Sequence, residues 1–426
     1  MGLLEEKLKN LPGEPGVYIM KDELGNIIYV GKAVSLKNRV KQYFQSSKNH
    51  SPKVQAMVSK IRDFEYILTD SEMEALILEC NLIKKHRPRY NVLLKDDKHY
   101  PYIKVTTEED YPRVLMTRNV KKDKNRYFGP FTDSRAVRET IELIKKLFPV
   151  RSCNKNLNNI QKGDRPCLYY HINQCQGPCL GNVDKEEYQN MIKEICKFLD
   201  GRYEELLKEL KDEMKEAAAN LQFEKAAMLR DKIAAVEKIM EKQKVLSTDF
   251  IDQDAIAIAQ GDKKSVVQLF FIRSGKLVGT EHFILDDTED TDIKEILSSF
   301  IKQFYLVSSF IPKEILIQED FDDIEIIERW LSENKGSRVY IKVPQRGEKK
   351  KLIDMAIKNA EETLENYEQK LIREEARTIG ALDELAQHLQ LEAPPGRIEA
   401  FDISNIQGVD SVASMVVFED GKPNIS

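Results

Sequence analysis

A multidomain protein mixing α/β and α+β parts is what the sequence predicts, and three observations carry that reading. The chain has 426 residues, more than one compact core organises. Two stretches, one near the N-terminus and one from about residue 247, alternate β-branched runs with helical periodicity. Between them lie four clustered cysteines and a segment that reads as helix, break, helix. We expect bodies at 12–91, 92–150, 151–182, 203–238, 247–375 and 376–426.

Charged residues make up 32% and apolar residues 41%, which suits a soluble protein. No apolar run approaches the roughly 18 residues of a membrane span. The opening MGLLEEKLKN lacks the apolar stretch of a secretory signal, and Glu6 stands where a myristoylation signal has Ser or Thr. A cytoplasmic protein without membrane contact is expected. Residues 1–200 hold 35 Lys and Arg against 26 Asp and Glu, a net of +9. The remainder holds 31 against 45, a net of −14. A basic front half suits a nucleic-acid face. An acidic back half suits a protein partner or a solvated surface. No internal repeat is evident.

Gly16–Met20 and Ile27–Gly31 read as strands joined by a turn at Asp22–Asn26, with Gly25-Asn26 supplying the turn chemistry. Gly31 is expected to end the second strand, and a basic helix follows from about Ser35. Tyr18 and Tyr29 fall on the strands, and Lys32, Lys37, Arg39 and Lys41 beyond them. Two phenols beside cations suit phosphodiester chemistry: a phenol positions or deprotonates water, and cations hold phosphate oxygens. A phenol of pKa about 10 needs a neighbouring cation, such as Lys32, to lower it. Spacing alone leaves open an ordinary hairpin with a solvated helix.

Pro52 opens a helix to about Arg62, and Phe64–Thr69 reads as a strand. Ser71 to Glu74 is a capping box for a helix running to about Lys85, ended before Pro88. Within Ala75–Ile83 the one charge is Glu79. Buried, that carboxylate needs compensation, which a metal ion supplies; on the solvent face it needs none. Strands are expected at Tyr102–Thr106, Arg113–Thr117 and Arg126–Phe128, then a helix over Asp133–Phe148. Residues 95–102 interleave charge with aromatics and suit either a nucleic-acid contact or a surface loop.

Cys153, Cys167, Cys175 and Cys179 are separated by 13, 7 and 3 residues. In a reducing compartment such a cluster reads as a metal site. Gln176-Gly177-Pro178 is expected to turn the last two sulfurs one way. Spacing leaves zinc and an iron–sulfur cluster both open. Lys185–Leu199 reads as a helix and Arg202–Gln243 as a helical hairpin. Its stripe of Tyr203, Leu206, Leu207, Leu210, Met214, Ala217 and Ala218 continues through Phe223, Ala226, Ala227, Arg230, Ile233 and Val236. That stripe needs a partner or its own neighbours to cover it.

Beyond Ser247 we expect strands at Ala255–Gln260, Val266–Arg273, Lys276–Leu285, Glu314–Gln318 and Arg338–Val343, with helices at Ile293–Phe304, Ile324–Ser332 and a long one from Lys349. Pro394-Pro395-Gly396 resets the chain. Strands Arg397–Ile403 and Val412–Phe418 follow, joined by a loop at Ser404–Asp410. Asp402 near a strand end is where an RNase H-like nuclease fold places its first metal-binding carboxylate; a turn or cap role is the alternative.

These residues carry a resemblance. Gly16-Val17-Tyr18, then Tyr29-Val30-Gly31 with Lys32-Ala33 and Arg39, resembles the GIY-YIG nuclease signature, with Val for Ile in both halves. The run Ile28–Ala33 with Arg39 is closest to the version in the UvrC family, the incision subunits of bacterial nucleotide excision repair. Lys95-Asp96-Asp97 and Tyr127-Phe128-Gly129-Pro130-Phe131 are similar to that family as well. NLQFEKAAMLRD at Asn220–Asp231 resembles its UVR motif, and Phe401–Gly408 the start of its second nuclease domain.

The resemblance implies a GIY-YIG domain at 12–91 with catalytic Tyr18, Tyr29, Lys32, Arg39 and Asn91 and metal-binding Glu79. Tyr29 is favoured as general base or water-positioning group, Tyr18 next. Magnesium or manganese fits this set better than zinc, since it has no Cys or His. The resemblance further implies a [4Fe-4S] cluster on the four cysteines, with zinc as the alternative. It implies docking on UvrB through the hairpin (Leu221, Phe223, Ala226, Ala227, Leu229, Arg230), action on damaged double-stranded DNA, and UvrA in the pathway. Residues 376–426 would be the start of an RNase H-like domain lacking its remainder. We therefore expect the 3′-side cut to be kept and the 5′-side cut lost. A non-catalytic UvrB-binding scaffold and a stand-alone GIY-YIG endonuclease are the competing readings.

Overall fold

The computed structural model describes residues 2–45, 50–94, 100–121, 123–155, 157, 165–242, 251–262, 264–406 and 409–424. The 95–99 run and part of the 46–51 loop lie outside them. The chain divides into two compact units, Met1–Ala360 and Glu361–Ser426.

The first unit opens with α1 (Gly2–Lys9), β1 (Gly16–Lys21), β2 (Ile27–Ala33), α2 (Leu36–Phe44), α3 (Pro52–Lys60), β3 (Asp63–Leu68) and α4 (Glu72–His86). The strands form an antiparallel sheet in the order β2-β1-β3. Asp22 builds the hairpin turn: its Oδ1 accepts from the backbone N–H of Leu24 and of Asn26, at 3.0 and 2.8 Å. Gly31 does not end β2, which pairs on to Ala33. Its lack of a side chain serves another purpose: a Cβ there would meet the Tyr18 hydroxyl at 2.3 Å. At Gly16 a Cβ would meet the Ile67 carbonyl, also at 2.3 Å. Ser71 caps α4 by accepting from Glu74 N–H at 3.2 Å, and left-handed Arg87 ends the helix before Pro88.

A second body holds β4 (Tyr102–Val105), β5 (Val114–Thr117), β6 (Arg126–Phe128), α5 (Ser134–Leu147), α6 (Leu168–His171), α7 (Lys185–Leu199), α8 (Tyr203–Ala219) and α9 (Phe223–Lys242). The small antiparallel sheet runs β5-β4-β6. Ile103, Phe148, Tyr188, Leu206, Leu210 and Val236 share one apolar core, so the α8–α9 hairpin packs on its own neighbours along most of its stripe.

The third body contains β7 (Gln253–Gln260), β8 (Lys264–Arg273), β9 (Lys276–Asp286), α10 (Ile293–Val307), β10 (Glu314–Ile317), α11 (Ile324–Lys335), β11 (Tyr340–Lys342) and α12 (Gly347–Glu375). Its sheet runs β11-β10-β7-β8-β9, an antiparallel meander extended by two strands parallel to β7. Alternation decides the layers. Ile256, Ile258, Leu269 and Phe271 share a core with α10 and α11, while Ala255, Ala257, Phe270 and Ile272 share one with α12. Leu76, Cys80 and Val92 of the N-terminal body belong to the first of these cores.

The second unit carries the end of α12, a π-turn at Ala376–Gly380, α13 (Ala381–Leu389), β12 (Arg397–Ile406), β13 (Val409–Glu419) and β14 (Lys422–Pro423). The loop expected over Ser404–Asp410 is mostly strand, since Ser404 pairs with Val412 and Ile406 with Val409. Two hairpin turns share one backbone conformation. Ser274-Gly275 after β8 and Asp420-Gly421 after β13 take the same left-handed pair, with φ of 47° and 76° against 48° and 75°. Counting back from those turns, Gln268 faces Ala257 and Ser414 faces Asp402. Ala257 and Asp402 thus hold the same register position relative to their hairpin turns.

Candidate active site

The phenols gather where β1, β2 and α2 meet. Tyr18 is fully buried, and its hydroxyl lies 2.9 Å from that of Tyr43 on α2. Tyr29 completes a triangle, with ring centroids 6.1 Å from Tyr18 and 6.2 Å from Tyr43. Arg39, one helical turn before Tyr43, lies over its ring at 5.7 Å, and its guanidinium also hydrogen-bonds the Tyr18 hydroxyl. Burial pushes the Tyr18 phenol well above its usual range, reinforced by Tyr43. Tyr29 is half-buried as a residue, yet desolvation of its hydroxyl does the same, reinforced by Tyr43 and Tyr18. This corrects the expected lowering by Lys32. That ammonium is held by Glu72 at 2.7 Å and Asp323 at 2.9 Å, so its charge is already balanced.

Glu79 is 7% exposed and shares its buried face of α4 with Leu76, Cys80 and Ile83. The solvent-face alternative is excluded. Its Oε1 accepts from the backbone N–H of Lys32 at 2.9 Å, and its Oε2 takes the ammonium of Lys302 on α10 at 3.0 Å. The Lys302 pKa is raised: burial lowers it, and Glu79, Cys80 and Asp323 together more than offset that. The donor chemistry suits a hard divalent ion. The electrostatics do not, because an ammonium already occupies the carboxylate. As arranged here, a divalent ion reaches Glu79 only where the ammonium gives way.

Asn91 acts on β2 itself. Its Oδ1 accepts from Val30 N–H at 2.9 Å and its Nδ2 donates to Val30 O at 2.8 Å, so its carboxamide is spent on the strand. The structure thus brings Tyr18, Tyr29, Lys32, Arg39, Glu79 and Asn91 to one end of the sheet. Sequence reading missed Tyr43, Lys302 and Asp323. Tyr43 lies four residues after Arg39, and Lys302 is the one charge within Leu297–Phe304, the mirror of the Glu79 pattern.

The four cysteines are less closely joined. Cys175 and Cys179 are buried, Cys153 is intermediate and Cys167 exposed. Gly177, at φ 73°, turns the chain between the last two, and its N–H donates to the Cys175 sulfur at 3.4 Å. Burial raises the Cys175 thiol pKa, and the other three thiols are near enough to add to it. Among the described residues, however, no three His, Cys, Asp or Glu are arranged to hold a metal.

At the hairpin, Leu221, Phe223 and Met228 are 72%, 67% and 70% exposed. Ala226 and Ala227 are half-buried, Ala226 packed against the same core as Phe148, and Arg230 pairs with neighbouring Asp231 at 2.8 Å. Leu229 is a correction: it is 8% exposed and sits in the core with Phe148 and Val236, turned away from any partner. Asp402 stands exposed on β12.

Family models match as "UvrC-like GIY-YIG domain" over residues 14–92, "UvrC/Cho excinuclease, middle domain" over 100–198, and "UvrB/uvrC motif" over 204–239. Two more match as "UvrC Ribonuclease H-like domain" over 252–367 and "UvrC RNAse H endonuclease domain" over 386–426. The UvrABC system protein C of Acetivibrio thermocellus is 58% identical over 424 residues, covering 99% of this chain and 68% of that protein. That of Clostridioides difficile is 56% identical, covering 98% and 70%. The magnesium-bound GIY-YIG N-terminal endonuclease domain of UvrC from Thermotoga maritima is 42% identical, covering 22% of this chain and 99% of that one, with a TM-score of 0.20. Among the described residues no helix is long and apolar enough to cross a membrane. With matching models from residue 14 to 426, and relatives above half identity along nearly its whole length, the chain belongs to the UvrC family.

Proposed function

We propose that this chain is an excision-repair endonuclease that hydrolyses a DNA phosphodiester on the 3′ side of a lesion. The observation that carries the reading is the gathering of Tyr18, Tyr29, Tyr43, Arg39, Lys32 and Glu79 at one end of the three-stranded sheet. Phenols held above their usual pKa stay protonated at neutral pH, so Tyr29 positions the attacking water, and Tyr18 with Tyr43 keeps the hydroxyl network in register. Arg39, exposed as a residue, offers its guanidinium to phosphate oxygens. Asn91 holds the strand that presents Tyr29. Bound at Glu79, magnesium or manganese would supply charge neutralisation at the scissile phosphate.

The hairpin tip, with Leu221, Phe223 and Met228 uncovered, is the surface for UvrB. UvrA acts earlier in the pathway, and the setting is cytoplasmic. A [4Fe-4S] or zinc site on Cys153, Cys167, Cys175 and Cys179 rests on sequence spacing. Iron and zinc analysis of purified chain, with its visible absorbance, tests that assignment.

A scaffold reading has one observation in its favour, the Lys302 ammonium on Glu79. The deciding experiment is a lesion-containing duplex, end-labelled on both strands, incubated with UvrA, UvrB, ATP, Mg²⁺ and this chain. A 3′-side nick that Glu79→Ala abolishes supports the nuclease. Binding to UvrB without a nick supports the scaffold.

A further inference from the structure

Glu79 and Lys302 form a buried pair whose side chains are 9% and 10% exposed. A carboxylate so buried requires a counter-charge. Here it comes from another body of the chain, off helix α10. A second cation beside it is costly, because two positive charges repel strongly where water is excluded. The neighbourhood offers somewhere for the ammonium to go. Asp323, the residue before α11, reaches the same Nζ at 3.7 Å through Oδ2, and its Oδ1 holds Lys32 at 2.9 Å. Lys302 therefore stands between two carboxylates, and Asp323 is the more open of them, 28% exposed.

We propose that Lys302 competes with the divalent cation for Glu79, occupying the carboxylate while the metal is away and passing to Asp323 when the metal binds. The proposal rests on the reading that Glu79 holds the metal. The lysine keeps a buried carboxylate charged and aimed at the Lys32 amide in the absence of metal. Its flexible stem allows the exchange while α10 stays packed in the core it shares with Leu76 and Cys80. Metal affinity at the nuclease site is thereby set by a residue of the following body.

The test is Mn²⁺ binding to the full chain, read from the electron paramagnetic resonance of the free ion, without DNA or partners. Lys302→Met is expected to bind Mn²⁺ roughly tenfold tighter or more, since no charge need be displaced. Asp323→Asn is expected to bind it more weakly, the ammonium having lost its acceptor. Glu79→Gln loses the site in either background. If Glu79→Gln keeps the site, the reading of Glu79 as metal holder fails and the competition falls with it. If Glu79→Gln loses the site but Lys302→Met binds no tighter, the competition alone is overturned. The wild-type chain supplies a second measurement should Lys302→Met fold poorly. Lysine acylation, mapped by mass spectrometry, is expected to rise at Lys302 on saturation with Mn²⁺ and to stay level at exposed Lys37. Unchanged labelling of Lys302 overturns the proposal.

Discussion

The carboxamide of Asn91 closes a two-hydrogen-bond ring on the backbone of Val30, at 2.9 and 2.8 Å, from 61 residues further along the chain. Val30 is fully buried, so neither backbone group has water to fall back on. Asn91→Ala is expected to cost about 1–3 kcal/mol and to lower nicking by loosening the strand that carries Tyr29. Asn91→Asp keeps the acceptor and loses the donor, so it falls between the two. Urea denaturation alongside the nicking assay checks the order; equal stability of all three chains would refute it.

Gly31 is bound to Tyr18 by space alone. Gly31→Ala drives a Cβ into the phenol hydroxyl, and overpacking of this kind typically costs about 1–3 kcal/mol. Adding Tyr18→Phe to Gly31→Ala removes the colliding oxygen and is expected to return part of the lost stability. A double-mutant cycle on thermal melts measures that recovery; strict additivity would remove the steric account.

The phenols make a pH prediction whose sign is fixed. Tyr18 and Tyr29 have folded-state pKa values above their unfolded value near 10. The folded state prefers the protonated phenol, so this contribution is whole below about pH 10 and is lost as pH rises beyond it. Alkaline unfolding should shift to higher pH in Tyr29→Phe. Between pH 7 and 9, nicking should show no inflection belonging to a phenolate. A pH titration of the chain followed by circular dichroism tests the first expectation, and the pH–rate profile the second.

The hairpin separates into binding and folding residues. Leu221→Ser, Phe223→Ser and Met228→Ser are expected to weaken binding to UvrB with little change in melting, since all three side chains face solvent. Leu229→Ala, one residue from Met228, is expected to cost about 2–5 kcal/mol, because Leu229 is buried with Phe148 and Val236. Affinity and melting temperature measured on the same four chains would distinguish the two classes.

Much of the site was readable because its chemistry is local. The Asp22 turn, the Ser71 cap and the strand placement of Tyr18 and Tyr29 are each set by neighbours within a few residues. Tyr43 was within reach too, one helical turn from Arg39 on α2. The Glu79–Lys302 pair was not, because its halves are separated by 223 residues and each alone resembles a stray charge on an apolar helix. Gly31 shows the reverse failure. A glycine in a strand reads as a break, and only the tertiary position of the Tyr18 ring explains why the strand continues through it. The same limit applies to Leu229: its alternation with exposed Met228 is visible in sequence, but the core that claims it is built from α5 and α7.

Leu76, Cys80 and Val92 lie in the same interior as Phe304, Ile315 and Trp330. Helix α4 and the five-stranded sheet therefore share one interior, and they are expected to open together. Damage to the sheet, remote from any phosphate, would reach Glu79 as a loss of hydrogen-exchange protection along α4.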